Sequence, residues 1–110
     1  MIDKFRFLPL FLAVCVLAAC QVPFASPSYG GGDGLSPQTA VVIQGASDER
    51  AGIRAEYAWI AAHFPGAKRQ GQRLVSSGGK PQDAIDLVTP SGEHKTVYFD
   101  ISGFFGKLGY

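Results

Sequence analysis

The hydrophobic rhythm of the chain changes three times. From Phe7 to Ala19 it is apolar throughout, with Pro9 as its one interruption, and from Gln21 to Pro37 it has no period at all. Beyond that point Thr39-Ala40-Val41-Val42-Ile43 is a β-branched run closed by Gln44-Gly45, which predicts a first strand. Ile53, Tyr57, Ile60, Ala61 and Phe64 then recur at helical spacing and predict a helix with these five on its core stripe. Ser47 is the candidate N-cap, Asp48 and Glu49 put negative charge in the first turn, and Pro65-Gly66 stops the pattern. On the same wheel Glu49, Gly52, Glu56 and His63 fall on a polar flank with Trp59 at its edge. Ala51, Ala55, Ala58 and Ala62 form a smooth back that another element can approach closely.

After Gly66 the period drops to two. Arg69 to Ser76 reads as one strand, Gly78-Gly79-Lys80-Pro81 as a turn and Gln82 to Thr89 as the next strand. A second turn, Pro90-Ser91-Gly92-Glu93, leads into a last strand from His94 to Ser102. That strand alternates Val97, Phe99 and Ile101 inward with Thr96, Tyr98 and Asp100 outward, and Ile85 and Leu87 supply the matching inward face beside it. The expected fold is α+β: one helix packed on a small antiparallel sheet, order β-α-β-β-β, over residues 38–110. In topology alone this order is similar to cystatin-like and PepSY-like envelope domains, with no sequence motif of either.

The first segment has a different purpose. Lys4 and Arg6 precede an apolar run of 13 residues, the charged-then-apolar order of a secretory signal. A helix of that length spans about 20 Å, short of the ~30 Å hydrocarbon core, which argues against a permanent membrane span. Leu17-Ala18-Ala19-Cys20, at the end of this run, resembles the lipobox of bacterial lipoproteins: an apolar residue, two small residues and a cysteine. The resemblance covers about the first 21 residues. It implies cleavage between Ala19 and Cys20, with diacylglycerol on the Cys20 thiol and a further acyl chain, such as palmitate, on the new amino terminus. Two or three chains anchor a protein stably where one does not. Gln21, a residue other than Asp behind the lipid site, implies sorting to the outer membrane, facing the periplasm. Residues 1–19 are thus expected to be signal peptide. Residues 20–37, with ten Gly, Pro or Ser among the seventeen from Gln21 to Pro37, are expected to be a flexible tether.

Charge and chemistry narrow the function classes. Removing Asp3, Lys4 and Arg6 with the leader takes Lys plus Arg from 10 to 8 and Asp plus Glu from 9 to 8, a net of zero. Nucleic acid is therefore not an expected partner, since each neutralised phosphate needs a cation. Cys15 leaves with the leader and Cys20 is the lipid site, so the mature chain has no thiol for a disulfide or a nucleophile. Gly30-Gly31-Gly32-Asp33-Gly34 lacks the Lys and Ser or Thr of a phosphate loop. His63 and His94 have no spaced partner ligands, so no metal, cofactor or catalytic residue is expected. Asp83, Asp86 and Asp100 read as solvated strand faces, and Lys68, Arg69 and Arg73 as protection of an edge strand.

The tail from Gly103 to Tyr110 sets Phe104, Phe105, Leu108 and Tyr110 among glycines, so Phe104 and Phe105 either cap the core or, with Trp59, contact a partner. The expected function is a membrane-anchored envelope lipoprotein, a non-enzymatic interaction or structural module with an envelope protein as partner. A small ligand-binding or enzyme-inhibitor domain of the periplasm is the alternative.

Overall fold

A computed structural model describes residues 26–109. Among them are one α-helix and five strands: β1 (Ser28–Gly31), β2 (Val41–Gln44), α1 (Glu49–His63), β3 (Lys68–Ser77), β4 (Lys80–Val88) and β5 (His94–Asp100). The strands form one sheet in the order β1-β2-β5-β4-β3. The fold is α+β, and from β2 onward its elements follow the expected β-α-β-β-β order.

The β3–β4 and β4–β5 pairs are antiparallel, as alternation and turn chemistry predict. Gly78 and Gly79 both have positive φ (58° and 77°) between paired Ser77 and Lys80. That is the two-residue hairpin whose twist matches the strands, and it is shorter than the four-residue turn expected. β2 and β5, in contrast, are parallel, with Val41 opposite Phe99 and Val42 opposite Asp100, so the sheet is mixed rather than antiparallel. The reason is topological: α1 carries the chain from β2 to the far edge, and the meander then returns its third strand to β2 in the same direction.

Asp48, not Ser47, caps the helix: its side chain accepts the Ala51 N–H at 2.8 Å. Glu49 lies in the first turn as expected, and the chain leaves at Phe64 through Gly66 with φ of 80°. The buried face of α1 is Gly52, Ala55, Glu56, Trp59 and Ile60. At 100° per residue that face lies roughly a third of a turn from the stripe centred on Ile53, Tyr57 and Phe64. Those three sit half-buried at its margin, and Ala61 is exposed. The rotation follows from steric fit: Gly52 and Ala55 allow close approach, and Trp59 fills the space next to Phe99, with the rings edge-on at 5.6 Å. The core beneath α1 is Val41, Ile43, Ile85, Leu87, Val97, Phe99 and Ile101, each at most 3% exposed. Ile85, Leu87, Val97, Phe99 and Ile101 are the inward positions expected of the last two strands.

Much of the glycine-rich segment expected to be a tether is folded. Ser28–Gly31 pairs antiparallel with β2, Tyr29 opposite Ile43. The chain then turns under the sheet: Gly32 N–H donates to Ala40 at 3.1 Å, Gly34 N–H to Thr39 at 2.7 Å, and Tyr98 N–H to Gly34 at 2.7 Å. Gly34, with φ of 80°, is buried, and a Cβ there would stand 2.9 Å from a Val41 methyl and 3.0 Å from a Val97 methyl. Its glycine answers a packing demand rather than a need for flexibility. The folded part thus starts about ten residues before position 38. The expected leader, the expected cleavage site at Ala19/Cys20, the expected lipid site Cys20 and the chain up to Ala25 lie outside the described residues.

Candidate functional site

A carboxyl pair lies between helix and sheet. Glu56 projects from the buried face of α1 with 0% exposure, and neither of its oxygens has a hydrogen-bond partner among the described residues. Asp83, 8% exposed, shares the inward face of β4 with Ile85 and Leu87. Burial first, and the facing Asp83 carboxyl second, push the Glu56 pKa up to about 10, so Glu56 is a neutral acid at pH 7. A carboxyl with a raised proton affinity is what general acid catalysis uses. Here it is sealed from solvent, and no substrate reaches it. It is part of the core.

The accessible candidate is an aromatic cleft of about 500 Å³ between the C-terminal half of α1 and the β1 turn. One wall is Trp59 and His63, stacked at 3.8 Å with an 11° tilt, with Phe64 beyond. They meet because residues four apart on a helix share a face. The His63 Nδ1 lies 2.9 Å from the Trp59 carbonyl. A carbonyl only accepts, so Nδ1 carries a proton and donates to it. The opposite wall is Tyr29 with the backbone of Gly30, Gly31 and Gly32, where missing side chains leave peptide groups approachable. Asp33 stands at the rim. Hydrogen bonds from the Leu35 N–H and then the Thr39 hydroxyl hold its carboxyl below the usual carboxylate range, so it is anionic at neutral pH. Leu35, 49% exposed, completes the rim. Stacking faces, bare peptide groups, one imidazole and one carboxylate can bind an extended peptide or a polar ring; they do not form a nucleophile–base pair.

The expected contact residues separate. Trp59 lines this cleft but is only 7% exposed. Phe104 is 2% exposed, its ring laid on Gly52 so closely that any Cβ there would overlap it, and it caps the core. Phe105 is 48% exposed and does not cap the core with Phe104. His94 opens β5 opposite Val88, far from His63 along the chain, and among the described residues no group of His, Cys, Asp and Glu is placed to hold a metal ion.

Of the three aspartates read as solvated, Asp86 alone is not buried, bonded to Arg73 at 3.2 Å and to the Thr96 hydroxyl at 2.7 Å. Asp83 and Asp100 are buried; Asp100 accepts from the Ser102 N–H at 2.9 Å and the Ser102 hydroxyl. Asp86 pairs with Thr96 and Asp100 with Gln82, so the two carboxylates do not meet. β3 is an edge strand, as its basic cluster predicts, and Arg69 places its guanidinium 3.6 Å above the Tyr57 ring. Glu56 and the glycine wall were missed by sequence reasoning. The available signals were the glutamate spaced four residues from Gly52 and three from Trp59, and a glycine run six residues ahead of β2.

No protein-family model, no curated protein and no solved structure matches this chain, which leaves its own residues as the ground for a functional reading.

Proposed function

We propose that the chain is a lipid-anchored lipoprotein of the bacterial envelope, held in the outer membrane by lipid on Cys20 and facing the periplasm, with a domain that binds a partner rather than catalysing a reaction. The observation that carries the reading is Leu17-Ala18-Ala19-Cys20 at the end of a charged-then-apolar leader. The aromatic cleft supports the binding role, since it offers stacking surfaces and a glycine wall without side chains to an envelope protein segment. The domain takes no cofactor in this reading, and its one covalent addition is the lipid.

Metabolic palmitate labelling of the wild type and of Cys20→Ser tests the anchor: the wild type takes up label and the variant does not, and label persisting in the variant overturns it. Crosslinking in intact cells tests the partner: a specific envelope protein is recovered with the wild type and lost with Cys20→Ser. The same cleft favours a second reading, a small ligand-binding or enzyme-inhibitor domain. Trp59 fluorescence separates the two, because a small ligand in the cleft changes the emission of the purified protein.

A further inference from the structure

The end of the domain at which the chain arrives from Cys20 also carries Leu108, the most exposed large apolar side chain among the described residues, together with Phe105. Pro27 lies against the β2–α1 loop, where a Cβ on Gly45 would stand 3.8 Å from its Cα. Ser26 and Pro27 share a groove with Arg54 and Ala58 of α1, and Arg54 in turn lines a cleft with Lys107 and Leu108. The tail is fixed there by backbone bonds: Glu49 N–H donates to the Lys107 carbonyl at 2.8 Å, and Gly106 N–H to the Glu49 carboxylate at 2.8 Å. From this pinned position Leu108 is 65% and Phe105 48% exposed. Only six residue steps separate Cys20 from Ser26, at most about 20 Å of extended chain. A lipid on Cys20 therefore holds this end near the headgroups.

We propose that this end is a second membrane contact, with Phe105 and Leu108 in the bilayer interface and Arg50, Arg54 and Lys107 facing anionic headgroups. The charges fit. Glu49 is engaged by the Gly106 N–H and Asp48 by the Ala51 N–H, whereas the three cations have no ion pair among the described residues. An apolar pair flanked by cations is the composition of interfacial segments. The contact rests on the lipid-anchor reading, and it adds an orientation: the aromatic cleft, at the opposite end of α1 near His63 and Phe64, points away from the membrane.

The test uses the full chain, processed in cells, purified with its lipid and placed in vesicles of phosphatidylethanolamine and phosphatidylglycerol. With Cys20 acylated and Cys15 removed, an introduced cysteine is the only thiol to take an environment-sensitive fluorophore. Leu108→Cys is compared with Glu93→Cys in the β4–β5 turn at the distal end, using nitroxide-bearing lipids as quenchers, and palmitate labelling is run in parallel. The expected result is strong quenching at 108, several-fold above that at 93. Palmitate uptake with equal, weak quenching at both positions overturns the contact and leaves the anchor standing. Absence of palmitate from the wild type overturns the anchor and this contact with it.

Discussion

Glu56 sets how this domain responds to pH. Its pKa is raised from 4.5 to about 10 in the folded state by burial and by Asp83, so the folded state keeps a proton that the unfolded state gives up above 4.5. A raised pKa contributes stability that is complete below the unfolded value and is lost as pH climbs toward the folded one, about 1.4 kcal/mol per unit. A domain of this size has only a few kcal/mol in total. Chemical denaturation should therefore show the wild type most stable near pH 5 and weaker by a few kcal/mol at pH 8. Glu56→Gln should flatten that dependence and be the more stable protein at pH 8; a wild-type profile rising between pH 5 and 8 would contradict the assignment. Gly52 makes a second residue-scale case in which two effects oppose. Gly52→Ala gains up to about 1 kcal/mol of helix propensity. It also drives a methyl into the Phe104 ring, and overpacking costs about 1–3 kcal/mol. The overlap wins: thermal denaturation should show a lower Tm. In Phe104→Ala, which itself costs about 3–5 kcal/mol, the same substitution should turn neutral or stabilising.

At the scale of elements, β1 and its glycine turn are part of the sheet, and Gly34 is where this is most easily tested. Gly34→Ala meets both a positive φ and methyls on two sides, so it should cost more than about 1 kcal/mol. The loss should be local: amide hydrogen exchange at Gly32, Gly34 and Tyr98, which bond through this turn, should accelerate more than exchange along β4. This segment also marks the limit of what was legible in the sequence. β3, β4, β5 and the ends of α1 could be read because each rests on local chemistry: alternation, a Gly-Gly turn, Asp and Glu at a helix start, Pro-Gly at its stop. β1 was not, because SYGG has neither alternation nor β-branching and its pairing depends wholly on β2, ten to sixteen residues away. The parallel β2–β5 pair is likewise non-local. The face of α1 was misread for a related reason: hydrophobicity put Ile53 and Tyr57 inward, whereas shape selected Gly52 and Ala55 and drew Glu56 in with them. The smooth alanine back did find its neighbour, since the Tyr29 hydroxyl donates to the Ala55 carbonyl at 2.7 Å. Of the candidate site, Trp59 was legible as an aromatic at the edge of a polar face, while its opposite wall is made of glycines that read as linker.

For the molecule as a whole, the two ends of α1 have different neighbours. Its N-terminus holds the arriving chain and the pinned tail, and its C-terminus holds the Trp59–His63 stack and the cleft. A partner bound in the cleft of an anchored protein would approach from the side away from the bilayer. Leu35 and Leu74 make a controlled comparison, because both are exposed leucines, 49% and 59%, of similar chemistry. Leu35 stands on the cleft rim; Leu74 stands on the edge strand β3, where an unpaired backbone offers the competing mode of strand addition. A photocrosslinking residue at each position, in cells producing the full chain, should therefore give different results. Capture at 35 but not 74, abolished by Trp59→Ala under conditions where that variant remains folded by circular dichroism, is the outcome expected of the cleft. Capture at 74 alone would move recognition to the sheet edge, where Arg69 lies over Tyr57 and Arg73 pairs with Asp86, leaving Lys68 as the cation of that strand with no partner among the described residues. The cleft is the stronger expectation because binding energy concentrates on aromatic anchors in preformed concavities. β3 is twisted by a bulge between Arg69 and Gly71 and is charged at its start, the features by which edge strands resist pairing.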